Sequence, residues 1–187
     1  DLADSGDDDV FGGGAKEEDL STWLYDAGPK PPGKADLTRF YAASTVTATD
    51  AFLYIAFERL GVQGGGDTHA NFEFNQKVTT VLNEDGVAVP DRTAGDLLLV
   101  YDYAGGGDDA EVEVRRWAGP TFGGAWVLQS VPAGSVRADV NGSPIVRPAG
   151  APFGGGTLDT LRFAEAALNL SAIFGASFPG CPGFSQF

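Results

Sequence analysis

The stretch Ala51-Phe52-Leu53-Tyr54-Ile55-Ala56-Phe57-Glu58-Arg59-Leu60 decides the fold class. In an extended chain successive side chains point to opposite faces, so Phe52 and Tyr54 share one face while Leu53, Ile55 and Phe57 share the other. Aromatic and β-branched residues suit a pleated backbone. Apolar residues on both faces predict a central strand that is covered, at least in part, on both sides. Just before it, Thr49-Asp50 reads as a tight turn, and residues 37–47, rich in aromatic and β-branched types, read as the preceding strand.

Further along, Asn71-Phe72-Glu73-Phe74-Asn75 alternates strictly. Phe72 and Phe74 are therefore expected to point inward, with Asn71, Glu73 and Asn75 outward. Residues 96–103, 111–117, 125–131 and 136–140 read as further strands, and Gly105-Gly106-Gly107-Asp108-Asp109 as a hairpin loop between the first two of these. Glycine and proline, 27 and 11 in number, fall mostly in the connections. With no amphipathic helix between the strands, the pattern predicts an all-β, antiparallel β-sandwich of jelly-roll type. One segment reads two ways. In residues 158–174, Leu161, Ala164, Leu168 and Ala172 fit a helical face, whereas a strand ending in a turn at Asn169-Leu170-Ser171 fits equally well.

Residues 1–36 read as an acidic, Gly/Pro-rich arm ahead of a sandwich domain at 37–187. Asp7-Asp8-Asp9, Gly12-Gly13-Gly14 and Lys16-Glu17-Glu18-Asp19 carry neither helical nor strand period. Leu20, Trp23, Leu24 and Tyr25 are apolar enough to pin this arm to the body.

The composition supports a real core: 43% of the 187 residues are hydrophobic, with 13 Phe, 5 Tyr and 3 Trp. The net charge of −14 repels phosphate backbones and anionic lipid, which argues against nucleic acid and membrane partners. No segment approaches the roughly 20 apolar residues of a membrane span, so no membrane insertion is expected. Met is absent and the chain opens at Asp1, as in a processed mature form or a piece of a longer protein. The lone Cys181 is unremarkable in a cytosolic protein and in a secreted one implies a partner thiol elsewhere.

Two resemblances add to this reading. Asp50-Ala51-Phe52-Leu53-Tyr54-Ile55-Ala56-Phe57 is similar to the "Asp, x, x, Leu-Tyr-hydrophobic-Ala-Phe" strand of sandwich domains related to the ninth family of carbohydrate-binding modules. Phe163-Ala164-Glu165-Ala166-Ala167-Leu168-Asn169-Leu170 resembles a late strand of the same fold that precedes a short turn, which tips residues 158–174 toward strand. More broadly, the chain resembles an N-terminal domain of large cell-surface, adhesin-like proteins of actinobacteria and other high-GC bacteria. That likeness rests on Phe11-Gly12-Gly13-Gly14-Ala15-Lys16-Glu17-Glu18-Asp19, Lys34-Ala35-Asp36-Leu37-Thr38, Phe72-Glu73-Phe74-Asn75-Gln76, Arg92-Thr93-Ala94-Gly95-Asp96-Leu97 and the Phe163 segment, in the same order. It implies an extracellular or cell-surface location, packing against neighbouring domains or copies of itself, and no known activity. Members of that family continue past the position of Phe187 with a further strand. The resemblance thus implies a sandwich that stops short of its last strand, the remainder being disordered, removed or supplied by another chain. An edge left open in this way would favour self-association through an exchanged terminal segment with the arm as donor, the alternative being a covered edge in a plain monomer.

Candidate chemistry is sparse. His69, the only histidine, follows Gly64-Gly65-Gly66 in what reads as a loop, a poor setting for nucleophilic catalysis. A zinc site lacks ligands. Glu58, Glu73, Asp102, Glu111 and Glu113 stand on predicted strands, where paired carboxylates could serve glycoside hydrolysis, although outward acids on strands are ordinarily solvated. Asp7, Asp8, Asp9, Glu17, Glu18 and Asp19, with Asp4, offer oxygens on a Gly-rich segment to calcium, or form a solvated acidic tail. Asn71, Glu73 and Asn75, with Trp117 and Trp126 as aromatic platform, combine the groups that bind a sugar; Trp23 could serve the same end. Asn141-Gly142-Ser143 and Asn169-Leu170-Ser171 match the glycosylation acceptor pattern. The reading is a non-enzymatic extracellular structural or adhesion module, with a carbohydrate-binding module of an envelope protein or secreted hydrolase as the alternative.

Overall fold

A computed structural model describes residues 9–12, 19–27, 33–62, 68–104, 109–149 and 154–175. In chain order the strands are β1 (Asp9–Gly12), β2 (Leu24–Ala27), β3 (Leu37–Val46), β4 (Ala51–Arg59), β5 (Thr68–Phe74), β6 (Thr80–Leu82) and β7 (Ala88–Pro90). They continue with β8 (Leu97–Ala104), β9 (Asp109–Ala118), β10 (Ala125–Leu128), β11 (Val136–Val140), β12 (Ile145–Arg147), β13 (Gly156–Leu158) and β14 (Phe163–Asn169), before a helix α1 (Leu170–Phe174). Two antiparallel four-stranded sheets pack face to face, as expected for a β-sandwich. The first has the order β10-β9-β8-β5 and the second β11-β14-β4-β3.

The core lies between these sheets and follows the two-residue period. Leu97, Leu99, Tyr101 and Tyr103 of β8 and Phe72 and Phe74 of β5 meet Leu53, Ile55 and Phe57 of β4 and Ala164, Ala166 and Leu168 of β14. Phe57 is the hub: its ring centroid lies 4.9 Å from Phe72, 5.1 Å from Tyr101 and 6.0 Å from Tyr103. Each such side chain contributes about 1.5–3 kcal/mol by leaving water. Arg59 closes one end, its guanidinium 3.9 Å above the Tyr103 ring and its Nε donating to Leu161 O at 2.7 Å. Tyr101 donates its hydroxyl to Asp139 O at 2.7 Å.

The outer face of the first sheet is covered as well. Leu98 and Val100, which alternate outward along β8, are buried. A second small core of Leu20, Trp23 and Val89, flanked by Val81 and Val87, joins the arm to the β6–β7 hairpin. Asn83, in the turn of that hairpin, holds the junction. Its Nδ2 donates to Leu20 O at 3.1 Å and Trp23 O at 2.8 Å, and its Oδ1 accepts from Asp85 N and Val87 N. The arm is thus pinned through Leu20 and Trp23. It is not unpaired throughout: β1 and β2 form an antiparallel ladder from Asp9↔Ala27 to Gly12↔Leu24.

The ambiguous segment resolves into both forms. Phe163–Asn169 is a strand because it pairs on one side with β4 and on the other with β11, and two ladders outweigh the helix propensity of its alanines. The helix follows at once. Asn169 caps it, its Oδ1 accepting from Ala172 N at 2.9 Å. The 49–50 turn is also present: Thr47 N donates to Asp50 O, and Thr47 Oγ1 accepts from Asp50 N at 2.9 Å.

Candidate functional site

The polar row expected to bind a ligand lies on the predicted face, but under the covering layer. Glu73 and Asn75 are buried and Asn71 half-buried. Glu73 accepts two charge-assisted hydrogen bonds from Arg92, Nε to Oε1 at 2.8 Å and Nη2 to Oε2 at 2.9 Å. The expected aromatic platform surrounds the same cation: the Arg92 guanidinium lies 4.7 Å from the Trp117 ring, 4.8 Å from Trp126 and 5.3 Å from Trp23. Asn71, Glu73, Asn75, Trp117 and Trp126 therefore belong to the packing of the first sheet's outer layer. The alternation of 71–75 gave the correct face; what it could not give is that the arm and the β6–β7 hairpin lie over it.

Of the carboxylates expected to bind calcium, Asp7, Asp8, Glu17 and Glu18 lie outside the described residues, as does Asp4. Asp9 stands on β1 with its side chain likewise outside the description. Asp19 caps a short 3-10 turn, its Oδ1 accepting from Ser21 N at 2.9 Å. Among the described residues no group of three or more His, Cys, Asp or Glu could hold a metal ion. His69 is on strand β5 rather than in a loop, with Nδ1 3.0 Å from Asp102 Oδ1 on the neighbouring strand. Glu113 accepts from Arg115 on the same strand. Both sequence triplets that match the glycosylation pattern have their amide nitrogen engaged: Asn141 Nδ2 donates to Ser143 O and Asp159 O, and Asn169 Nδ2 to Asp50 Oδ1.

The open groove lies on the other sheet. Along the outward face of β4, Phe52, Tyr54, Ala56 and Glu58 alternate with the core residues. β4 is central in its sheet and covered in part on this face too, Glu58 being buried, Phe52 and Ala56 half-buried and Tyr54 exposed. Cross-strand register explains the relief. One row runs Ala43, Tyr54, Ala167, Arg137, and the next runs Tyr41, Ala56, Glu165, Asp139. Across β3, β4 and β14 large and small side chains alternate in both directions, and the alanines leave a groove of about 760 Å³. Tyr54 rises between Ala43 and Ala167 and is 40% exposed, with Phe52 stacked beside it at 6.3 Å. Arg137, Asp139 and Glu165 supply charge along one wall.

The groove runs on past Tyr41 and Ala56 into a second hollow of about 270 Å³ under the β12–β13 hairpin. Glu58 fixes this end. Its Oε2 accepts from Arg39 Nη1 at 2.8 Å and Arg147 Nη1 at 3.2 Å, and its Oε1 from the Tyr41 hydroxyl at 2.7 Å. Burial, and then the bond to Glu58, push the Tyr41 hydroxyl up to about 12. Tyr41 is therefore a neutral donor locked in place at ordinary pH.

No protein-family model, no curated protein and no solved structure matches this chain. The arrangement of side chains is the ground on which function is read. From the sequence, Tyr54 shares a face with Phe52 on a central strand expected to be covered, at least in part, on both sides, so its exposure is not legible there. Its two alanine neighbours come from strands far apart in the chain, and only the register brings them together.

Proposed function

We propose that this chain is a non-enzymatic, extracellular adhesion module of a bacterial surface protein, and that the groove around Tyr54 is its recognition surface. The observation that carries this reading is the exposed Tyr54 ring standing between two alanines on the open face of the second sheet. An aromatic ring with room on both sides offers a large, stiff contact area at little entropic cost. Elsewhere on the strands the carboxylates Glu58, Glu73, Asp102 and Glu113 each face a basic or histidine partner, which suits structural roles better than acid–base work.

A carbohydrate-binding module is the second reading, and the same groove favours it. The Tyr54 face can stack on a pyranose ring, while Arg137, Asp139 and Glu165 offer donors and acceptors to hydroxyl groups. The test is binding of the purified chain to a glycan array and to a panel of extracellular-matrix proteins, with wild type beside Tyr54→Ala. Protein ligands lost in the variant support the first reading, and saccharide ligands lost in the variant support the second. Binding indifferent to Tyr54→Ala, or no ligand on either panel, overturns the groove as the site.

A further inference from the structure

Among the described residues four strands form the edges of the two sheets: β5 and β10 in the first, β3 and β11 in the second. Three of them carry the usual protections of an edge. β10 is short, β11 bears Arg137 and Asp139, and β5 bears His69 and the buried Glu73. β3 differs. It runs for 10 residues, contains no proline, and residues 40–49 hold no charge in a chain whose net charge is −14. Residues 42–46 are all exposed, and among the described residues no strand pairs with the side of β3 that faces away from β4.

From these features we infer that β3 pairs with β3 of a second copy, antiparallel, about a two-fold axis through Ala43. Such an axis preserves the two faces of the sheet, because residues of the same parity then oppose one another. Ala43 meets Ala43, Ala42 meets Ser44, and Phe40 meets Val46. The last pair matters most. Phe40 and Val46 lie on the core-facing side of β3 yet are 37% and 59% exposed, and the pairing sets each against the other across the new junction. The absence of charge selects a like partner: two highly acidic chains can approach along this strand without opposed carboxylates. The two second sheets become one sheet of eight strands. Ala43 lines the groove beside Tyr54, so the two grooves meet at the axis.

This inference stands apart from what the groove binds. A junction of a few residues per copy is small beside the roughly 1,200 Å² of a stable interface, so the dimer depends on concentration. Sedimentation of the wild-type chain over a thousand-fold concentration range should show the mass rising toward twice that of the monomer. Ala43→Lys and Ala43→Glu each place like charges opposite one another at the axis and should hold the chain monomeric with an unchanged melting temperature. An equimolar mixture of the two should dimerise again. In a Cys181→Ser background, Ala43→Cys should cross-link on mild oxidation while Val78→Cys, exposed on another part of the surface, should not. A wild-type chain that stays monomeric at millimolar concentration overturns the inference. So does a dimer untouched by both charged variants, or a mixture that fails to re-associate.

Discussion

Arg92 and Glu73 are joined by two parallel hydrogen bonds, 2.8 and 2.9 Å long, with neither side chain more than 2% exposed. A charge pair withdrawn from water this completely is costly to break on one side, because the remaining ion stays buried and loses its two charge-assisted hydrogen bonds. Glu73→Leu is expected to lower stability by about 3–5 kcal/mol in urea titration, and Arg92→Met by a similar amount. The double variant should recover most of the loss, since both buried charges are then removed together. A double variant as unstable as the sum of the singles would show that packing of the Arg92 stem, rather than charge, holds the layer.

Phe74 is fully buried between the sheets. Phe74→Ala is expected to cost about 3–5 kcal/mol through lost burial and the cavity left behind. Equilibrium unfolding measures it, and a loss below about 1 kcal/mol would contradict a core position.

Asn83 satisfies four backbone groups with one side chain, two of them in the arm. Asn83→Ala removes the donor to two buried carbonyls, Leu20 O and Trp23 O, at about 1–3 kcal/mol for such groups. The loss should be local. Hydrogen exchange is expected to quicken at residues 20–23 and 83–87 while β4, β8 and β14 keep their protection. Uniform loss across the sandwich would mean that the arm and body unfold as one unit.

The alkaline limb of stability should be set by tyrosines. The folded state holds Tyr41 near 12 against an ordinary value of 10.0, and burial raises Tyr101 and Tyr103 in the same direction. Above pH 10 the unfolded chain loses these protons while the folded chain keeps them, so stability falls as pH rises. For Tyr41 the window runs from about pH 10 to about pH 12. Below pH 10 its contribution is fully present. Absorbance titration of tyrosinate should show delayed ionisation in the folded chain that disappears in urea, and Tyr41→Phe should remove part of the delay.

Much of the sandwich was legible in the sequence because its strands carry their own period. Phe72 and Phe74 on one side of Asn71, Glu73 and Asn75, or Leu53, Ile55 and Phe57 on one side of β4, need only local alternation. The hairpins β6–β7 and β12–β13 and the β1–β2 ladder were missed, because each strand is too short for a period to show. The site was harder. A polar row on a strand looks the same whether solvent or another layer lies above it, and Arg92, which supplies that layer with its cation, stands far from Glu73 in the chain. The groove was hidden for the same reason: Ala43, Ala56 and Ala167 acquire meaning only when register sets them around Tyr54.

All three tryptophans of the chain surround Arg92, outside the sandwich core, whose rings are phenylalanine and tyrosine. Indole emission from this protein therefore reports one place, the seam where the arm and the β6–β7 hairpin meet the first sheet. A fluorescence-detected transition will follow the undocking of that seam. Tyrosine circular dichroism will follow the melting of the sandwich, and the two midpoints coincide only if the layers part company with the core in a single step.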